Sequence, residues 1–358
     1  MRPFQFAKNP EDDFMRVLYA RVDTFFVEKH LDKRANGTML GKTIALFGMY
    51  AGIYVLILFS GLENLLVLFL LWALLGFLQS FIGMTIMHDA AHGAYSKSRV
   101  VNMLLEIPII LIGVESAIWK IEHNTIHHNY PNVNGIDQDI HPRYLFRFST
   151  FQRKRWFHRF QHYYAVLLYA LMVLEWTTIK DFMKVKKYYA EGFIKSRGEA
   201  FKLAAVIAIK KAIFHGVFLA IPIMVLPFEW YIVAAMYLSM AIVAGVFMTI
   251  IFQTAHVVPD CDFIADDVSD VTVSWHKHQL QTTANFSKNS TLVTHLLGGL
   301  NYQIEHHLFP GICHVHYPAI AGIVRSTAEE YQLPYQENST LWSAVRGHFS
   351  LLKRLGRD

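Results

Sequence analysis

The chain has 358 residues, of which 53% are hydrophobic and only 17% charged, against about 25% charged in a soluble domain; its mean hydropathy of +0.27 argues for a membrane protein. The net charge of +5 lies beside apolar runs, a pattern of membrane topology rather than of nucleic-acid binding. Cys261 and Cys313 form no CxxC pair, which argues against a disulfide framework and a thiolate metal site.

Residues 1–40 begin with polar and charged positions (Lys8, Glu11, Asp12, Asp13, Arg16), so no cleavable signal peptide is visible. Phe14, Val17, Leu18, Val22 and Phe25 fall near helical spacing and predict an amphipathic helix lying on the membrane, within a cytoplasmic or interfacial N-terminal segment. Residues 41–358 read as one domain. A bilayer core of about 30 Å needs about 20 apolar residues in a helix, and four spans meet this: 43–62, 64–87, 201–228 and 230–252. The third contains Lys210 and Lys211, which the pattern predicts to snorkel to the headgroups. Two further stretches, 101–119 and 163–176, are too short or too interrupted to span and are expected at the interface or packed on the bundle.

The links at 60–64 and 227–230 hold no Lys or Arg, whereas the other loops and both termini do. The positive-inside rule places both termini and the segments 88–200 and 253–358 in the cytoplasm. The expected fold is therefore all-α and integral to the membrane, four transmembrane helices with a cytoplasmic helical cap.

Histidine clusters follow the spans on that face. They are His88-Asp-Ala-Ala-His92, His123-Asn-Thr-Ile-His127-His128 and Gln303-Ile-Glu-His306-His307, with His256 just past the fourth span. Histidine is the commonest metal ligand through a neutral ring nitrogen. His88 and His92, four apart on a helix, share one face, and His123 and His127 repeat the device. Eight imidazoles exceed the roughly four to six positions of one transition-metal ion, so the count predicts two metals, with ligand type alone fitting iron, zinc, copper or nickel. Asp89, Asp137, Asp139 and Glu305 lie near the clusters as candidate acceptors that hold ring tautomers. His158 and His162 show the same spacing but sit in a basic, aromatic stretch suited to the headgroup interface. Arg153, Lys154 and Arg155, with Arg143 and Arg147, read as an anchor to anionic headgroups, the alternative being a grip on a carrier's phosphates or an acidic redox partner.

In this order, HDAAH, HNTIHH and QIEHH resemble the three histidine boxes of the membrane fatty acid desaturases. The run Gly298-Gly-Leu-Asn-Tyr-Gln-Ile-Glu-His-His-Leu-Phe-Pro310 is similar to their front-end subgroup, in which glutamine, here Gln303, replaces the first histidine of the third box. The resemblance implies a di-iron centre held by His88, His92, His123, His127, His128, His256, His306 and His307, with Gln303 as a ninth ligand or its hydrogen-bonding neighbour. His256 is matched by its place after the last span. It also implies dioxygen as co-substrate and insertion of a double bond into an acyl-CoA or acyl-lipid, between an existing double bond and the carboxyl end. Trp72, Phe77, Phe81, Gly245 and Phe247 of the second and fourth spans are the expected lining of the acyl tunnel.

Many front-end enzymes carry a fused cytochrome b5 domain with an HPGG haem motif. The nearest string here, His141-Pro-Arg-Tyr144, is not that motif, and the chain starts close to its first span. Electrons are therefore expected from a separate donor of ferredoxin or cytochrome b5 type, at a bacterial inner membrane or the endoplasmic reticulum. Two other functions compete. A di-iron lipid or alkane hydroxylase shares such boxes and would add oxygen to its product. A metal transporter would place its ligands near the bilayer midplane between repeated or broken spans, whereas these ligands gather at one face.

Overall fold

The computed structural model describes residue 6 and residues 13–140, 144–265 and 274–358. Lys8, Glu11, Asp12, His141 and Arg143 lie outside the described residues. Helix α1 (Phe14–Glu28) carries the expected apolar stripe but turns it to the protein. Phe14, Leu18, Val22 and Phe26 are buried with Ile320, Val324 and Ala328, which corrects the membrane-surface reading: the C-terminal segment supplies the apolar partner that lipid was expected to supply.

Two spans follow as a hairpin. The Asn36 side chain accepts from the Met39 N–H at 3.0 Å and starts α2 (Gly37–Phe59). Asn64 does the same for Val67 at 3.1 Å and starts α3 (Leu65–Ala91). Near its end α3 loosens into a π-turn over Gly83–Met87, immediately before His88. The stretch 101–119 becomes α4 (Arg99–Glu106), a 3₁₀ turn and α5 (Ser116–Lys120), which runs on as a π-helix over Ile121–His127. Arg99–Ile112 and Ser116–His127 meet at a bend of 101°, as in a broken or re-entrant segment.

A 3₁₀ turn over Trp156–Phe160 leads into α6 (Gln161–Ala170), α7 (Met172–Thr178) and α8 (Lys180–Ala190). The last two spans are α9 (Arg197–Val225) and α10 (Trp230–His256). The rest forms α11 (Trp275–Thr282), β1 (Ala284–Phe286), α12 (Thr291–Leu296), α13 (Gln303–Leu308), α14 (Tyr317–Glu330), β2 (Gln336–Asn338) and α15 (Leu341–Arg357). The two short strands pair in parallel, Ala284 opposite Gln336. Among the described residues, four helices are thus long and apolar enough to cross a membrane, as the hydropathy pattern predicts.

The bundle closes where α3 crosses α10. At Gly76 any Cβ would overlap the Met240 carbonyl oxygen, so glycine sets the helix separation. Trp72, Leu75, Met236 and Met240 fill the core beside it. The expected tunnel lining is spent on packing of this kind. Trp72 is fully buried in that core. Phe77 and Phe81 meet the Phe247 ring edge-on at 5.4 and 5.5 Å. Gly245 admits the α6 backbone, since a Cβ there would lie 2.7 Å from the Tyr169 oxygen and 2.9 Å from the Ala170 oxygen. None of the five lines either cavity described below.

The snorkelling reading of α9 is also corrected. Lys211 is buried and donates to the Asp181 carboxylate at 2.9 Å, to the Gly113 carbonyl at 2.9 Å and to the Trp176 carbonyl. Lys210 pairs with Glu115 at 2.7 Å. Acidic partners in the 113–115 loop and at the start of α8 hold both cations against the protein.

Candidate metal centre

The ends of α3 and α10 deliver His88 and His256 to the same side of the bundle, and the boxes converge there. His88, His92, His123 and His306 can bring one ring nitrogen each to within 4.8 Å of one another; His127, His256 and His307 form a second such group. His128 lies between the two groups. Its ring centre is 4.7 Å from that of His92 and 4.5 Å from those of His306 and His307, and its Nε2 is 3.2 Å from His123 Nε2. The π-helix carries His123 and His127 with ring centres 5.4 Å apart; each falls in a different one of these two histidine groups, and the pair also meets around Asp139. His306 and His307 are divided likewise, so the second and third boxes each contribute to both groups.

Hydrogen bonds fix which nitrogen faces inward. His127 Nδ1 meets Asp137 Oδ2 at 3.2 Å, and the buried carboxylate also accepts from the backbone N–H of Asn132 and of Asp139. His256 Nδ1 donates to the Thr282 carbonyl at 3.1 Å. His307 Nδ1 donates to Gln279 Oε1 at 2.8 Å, and His306 Nδ1 lies 3.3 Å from the Tyr317 hydroxyl. These contacts leave Nε2 as the free atom. Nε2 of His92, His306 and His307 and Nδ1 of His128 are buried with no hydrogen-bond partner among the described residues. Orphaned buried ring nitrogens are costly, and a shared cation satisfies them. Burial first, then the neighbouring imidazoles, holds His128, His306 and His307 well below the usual histidine pKa, so their rings are neutral and their lone pairs available. The residues therefore fit a pair of metal ions.

The four nearby carboxylates divide. Asp137 orients His127 as described, and Asp139 lies 3.4 Å from the same Nδ1. Asp89 orients no box histidine. It accepts from His314 Nδ1 at 2.7 Å, from the His314 backbone N–H and from the Cys313 thiol, tying the first box to the loop after the third. Glu305 accepts from Asn285 Nδ2 at 2.8 Å and the Tyr335 hydroxyl at 2.7 Å, and so braces α13 from behind. Gln303 is buried and lines the inner cavity with His88, His123 and His306. Outside the centre, His158 caps its turn, accepting from the Arg155 N–H and donating to the Tyr144 carbonyl, and His215 meets the Thr177 carbonyl at 3.2 Å.

Gln279, Thr282 and Tyr317 hold three of the candidate ligands and are absent from any box. They stand 28, 26 and 11 positions from the histidines they touch, so local spacing offers no signal for them. The paired glycines before the third box have a backbone reason. Gly298 has φ +62°, and a Cβ there would overlap the Met84 carbonyl oxygen, so the turn nests on the π-turn that precedes His88.

Two cavities open beside the site, and the inner one is lined by histidines. The inner one, about 70 Å³, reaches His88, His123, His127, His256 and His306. The outer one, about 450 Å³, runs between α6–α7, α8, α10 and the residues Gln138, Asp139, Leu145, Phe146 and Phe148. They share six lining residues: Glu122, Asp139, Trp176, Lys180, Phe252 and Gln253.

Residues 63–339 match the family model described as Fatty acid desaturase. The chain is 34% identical to an acyl-lipid (8-3)-desaturase of Physcomitrium patens, over 98% of this chain and 73% of that protein. It is 35% identical to a sn-1 linoleoyl-lipid 6-desaturase of Arthrospira platensis, over 96% and 92%, and 29% identical to a sn-1 linoleoyl-lipid 6-desaturase of Synechocystis, over 96% of each.

Proposed function

Since this chain belongs to the fatty acid desaturase family and is a membrane fatty acyl desaturase, we propose that its clustered histidines hold two iron ions and that it desaturates, with dioxygen, acyl chains esterified to membrane lipids. The observation that carries the reading is the convergence of seven imidazoles in two adjoining groups, with an eighth, His128, between them, and with buried nitrogens that have no partner among the described residues. His88, His92, His123 and His306 would hold one ion, and His127, His256 and His307 the other. His128 lies at their junction, and Gln303 is beside the first set. Iron there supplies the oxidation that the side chains cannot: two hydrogens leave adjacent methylenes, two electrons and two protons are added from outside, and dioxygen ends as two waters.

The chain's own residues supply position and exclusion. Asp137, Thr282, Gln279 and Tyr317 fix the rings. Trp119 stacks on His123 at 4.3 Å and, with Trp176 and Phe252, walls the inner cavity, keeping water from the reacting carbons. The acyl-lipid reading draws on the names of the relatives, and the QIEHH box supports insertion on the carboxyl side of an existing double bond. The hairpin links at 60–64 and 227–230, free of Lys and Arg, support a cytoplasmic histidine face and cytoplasmic termini, where a separate ferredoxin or cytochrome b5 type donor would deliver electrons. Iron analysis of the active protein together with product mass tests the reading. About two irons per chain and a product lighter by two hydrogens are expected. Full activity with less than one iron per chain, or a product that gains oxygen, overturns it.

A further inference from the structure

We propose that the outer cavity is a lateral portal from the bilayer, and that Lys180 and Gln253, at the neck between the two cavities, grip the ester end of the substrate's acyl chain. The proposal rests on the acyl-lipid reading above and assigns residues and a route that reading leaves open.

Depth carries the first step. The C-terminus of α6 touches α10 at Gly245, eleven residues before His256, which is about 16 Å along a helix axis. α6 therefore reaches well into the depth spanned by α10. Its outward face agrees, since the apolar Val166, Leu167 and Leu171 are exposed, as a lipid-facing surface would be. Trp156, Phe160 and Tyr163, also exposed, stand at its N-terminal end among Arg153, Lys154, Arg155 and Arg159, the composition of a headgroup boundary. Leu168 and Leu171 of α6 and its C-cap line the outer cavity with Leu145, whose carbonyl accepts from Tyr164 at 2.7 Å. The cavity thus lies behind a lipid-facing wall, beneath the headgroup boundary, where the esters of a glycerolipid lie.

Chemistry carries the second step. A passage for hydrocarbon alone would be apolar throughout, yet the neck holds Glu122, Asp139, Lys180 and Gln253. Lys180 sits 3.2 Å from Glu122 and 4.7 Å from the Trp176 ring centre. Glu122 keeps a second cation, Lys184, at 3.0 Å, so Lys180 can turn to a carbonyl without leaving that carboxylate unpaired. Among the described residues, Gln253 Oε1 is buried without a partner and its Nε2 makes a single 3.4 Å contact, to the Asp139 carbonyl, which leaves the amide able to donate to an ester. Gln253 lies three residues before His256 on α10, about one helical turn from the metal ligands. An ester gripped there presents carbons only a few bonds away to the histidine groups, which accords with insertion near the carboxyl end. The outer cavity falls within the roughly 300–1,000 Å³ range of ligand pockets, wide enough for the glycerol end.

The test uses the full iron-loaded chain in phospholipid nanodiscs, with products read by mass spectrometry. Leu168→Trp, and Leu171→Trp as a second variant, should cut desaturation of nanodisc phospholipid at least tenfold while iron content stays at the wild-type level. Lys180→Met and Gln253→Leu should raise the apparent KM for lipid about tenfold with a smaller change in kcat, and should scatter the double-bond position; Lys180→Arg should restore it. Unchanged rates on bilayer lipid in both tryptophan variants, or unchanged KM and position in Lys180→Met and Gln253→Leu, overturn the proposal. A wild-type chain that desaturates acyl-CoA in solution but no bilayer lipid also overturns it, along with the acyl-lipid reading. In each case the assignment as a fatty acyl desaturase still stands.

Discussion

Asp137 and His127 meet with both side chains buried, carboxylate oxygen 3.2 Å from Nδ1, and this contact turns the ring so that Nε2 faces His256 and His307. Second-layer carboxylates of this kind hold the tautomer and raise ligand basicity, and their loss costs about 10–100-fold in metal affinity or activity. Asp137→Leu is expected to lower iron from two toward one per chain, with activity falling at least tenfold. Asp137→Asn, whose amide oxygen still accepts from Nδ1–H, should retain more of both. Iron analysis beside turnover checks the order wild type, Asn, Leu; equal iron in all three would show that the carboxylate has no part in holding the ion.

Gly298→Ala puts a methyl against the Met84 carbonyl at a φ of +62°. Strain of this sort costs on the order of 1–3 kcal/mol, and relief requires the third box to lift from the first. The variant should lose iron from the group that His306 shares with His88 and His92, and should melt lower. Gly311→Ala, where a Cβ meets nothing within 4 Å, is the control and should match wild type in both iron content and melting temperature.

The boxes were legible because each ligand type repeats at short spacing, and the spans because hydrocarbon thickness sets a length that hydropathy reads directly. What escaped was whatever depends on contacts between distant stretches. Phe77, Phe81 and Phe247 look like tunnel lining in sequence, but they pack on one another. The stripe of α1 gave its period correctly but not its partner, because an apolar face fits lipid and protein alike. Asp89, beside His88, turned to His314, 225 positions away, while Gln279 found His307. Adjacency in sequence says little about where a carboxylate points.

His348 links α15 to the end of α10: Nδ1 donates to the Val257 carbonyl at 2.8 Å and Nε2 accepts from the Tyr169 hydroxyl at 2.7 Å. Burial pushes its pKa down to about 4 from about 6.5 in an unfolded chain. Between those values the unfolded chain holds a proton that the folded one does not, so stability is lost as pH falls from 6.5 toward 4. The full loss is on the order of 3 kcal/mol. His348→Gln should be less stable than wild type at pH 7.5, with the gap closing as pH falls toward 4. Melting temperatures across that range test this, and a gap that stays constant would mean that His348 titrates alike in both states.

Lys211 and Asp181 form the buried pair that joins α9 to the start of α8, 2.9 Å apart with both side chains less than one-tenth exposed. Removing one partner of such a pair typically costs about 3–5 kcal/mol because the other charge stays buried and unpaired, whereas replacing both by apolar groups is often near neutral. Lys211→Met strands Asp181 and also frees the Gly113 and Trp176 carbonyls that the ammonium satisfies. Its cost should therefore exceed that of Asp181→Leu, which leaves the ammonium those two acceptors and strands only the Glu115 N–H that Asp181 accepts at 3.1 Å. The double variant should regain part of the Lys211→Met loss but fall short of wild type, because the two carbonyls and that N–H remain unpaired. Trp176 lines both cavities, so the same variants should slow turnover through displaced α7 while iron content holds. Denaturation midpoints for the four-member cycle, read with turnover and iron, separate the two effects; a double variant no more stable than Lys211→Met would place the cost on the lost carbonyl and Glu115 N–H contacts rather than on the stranded charge.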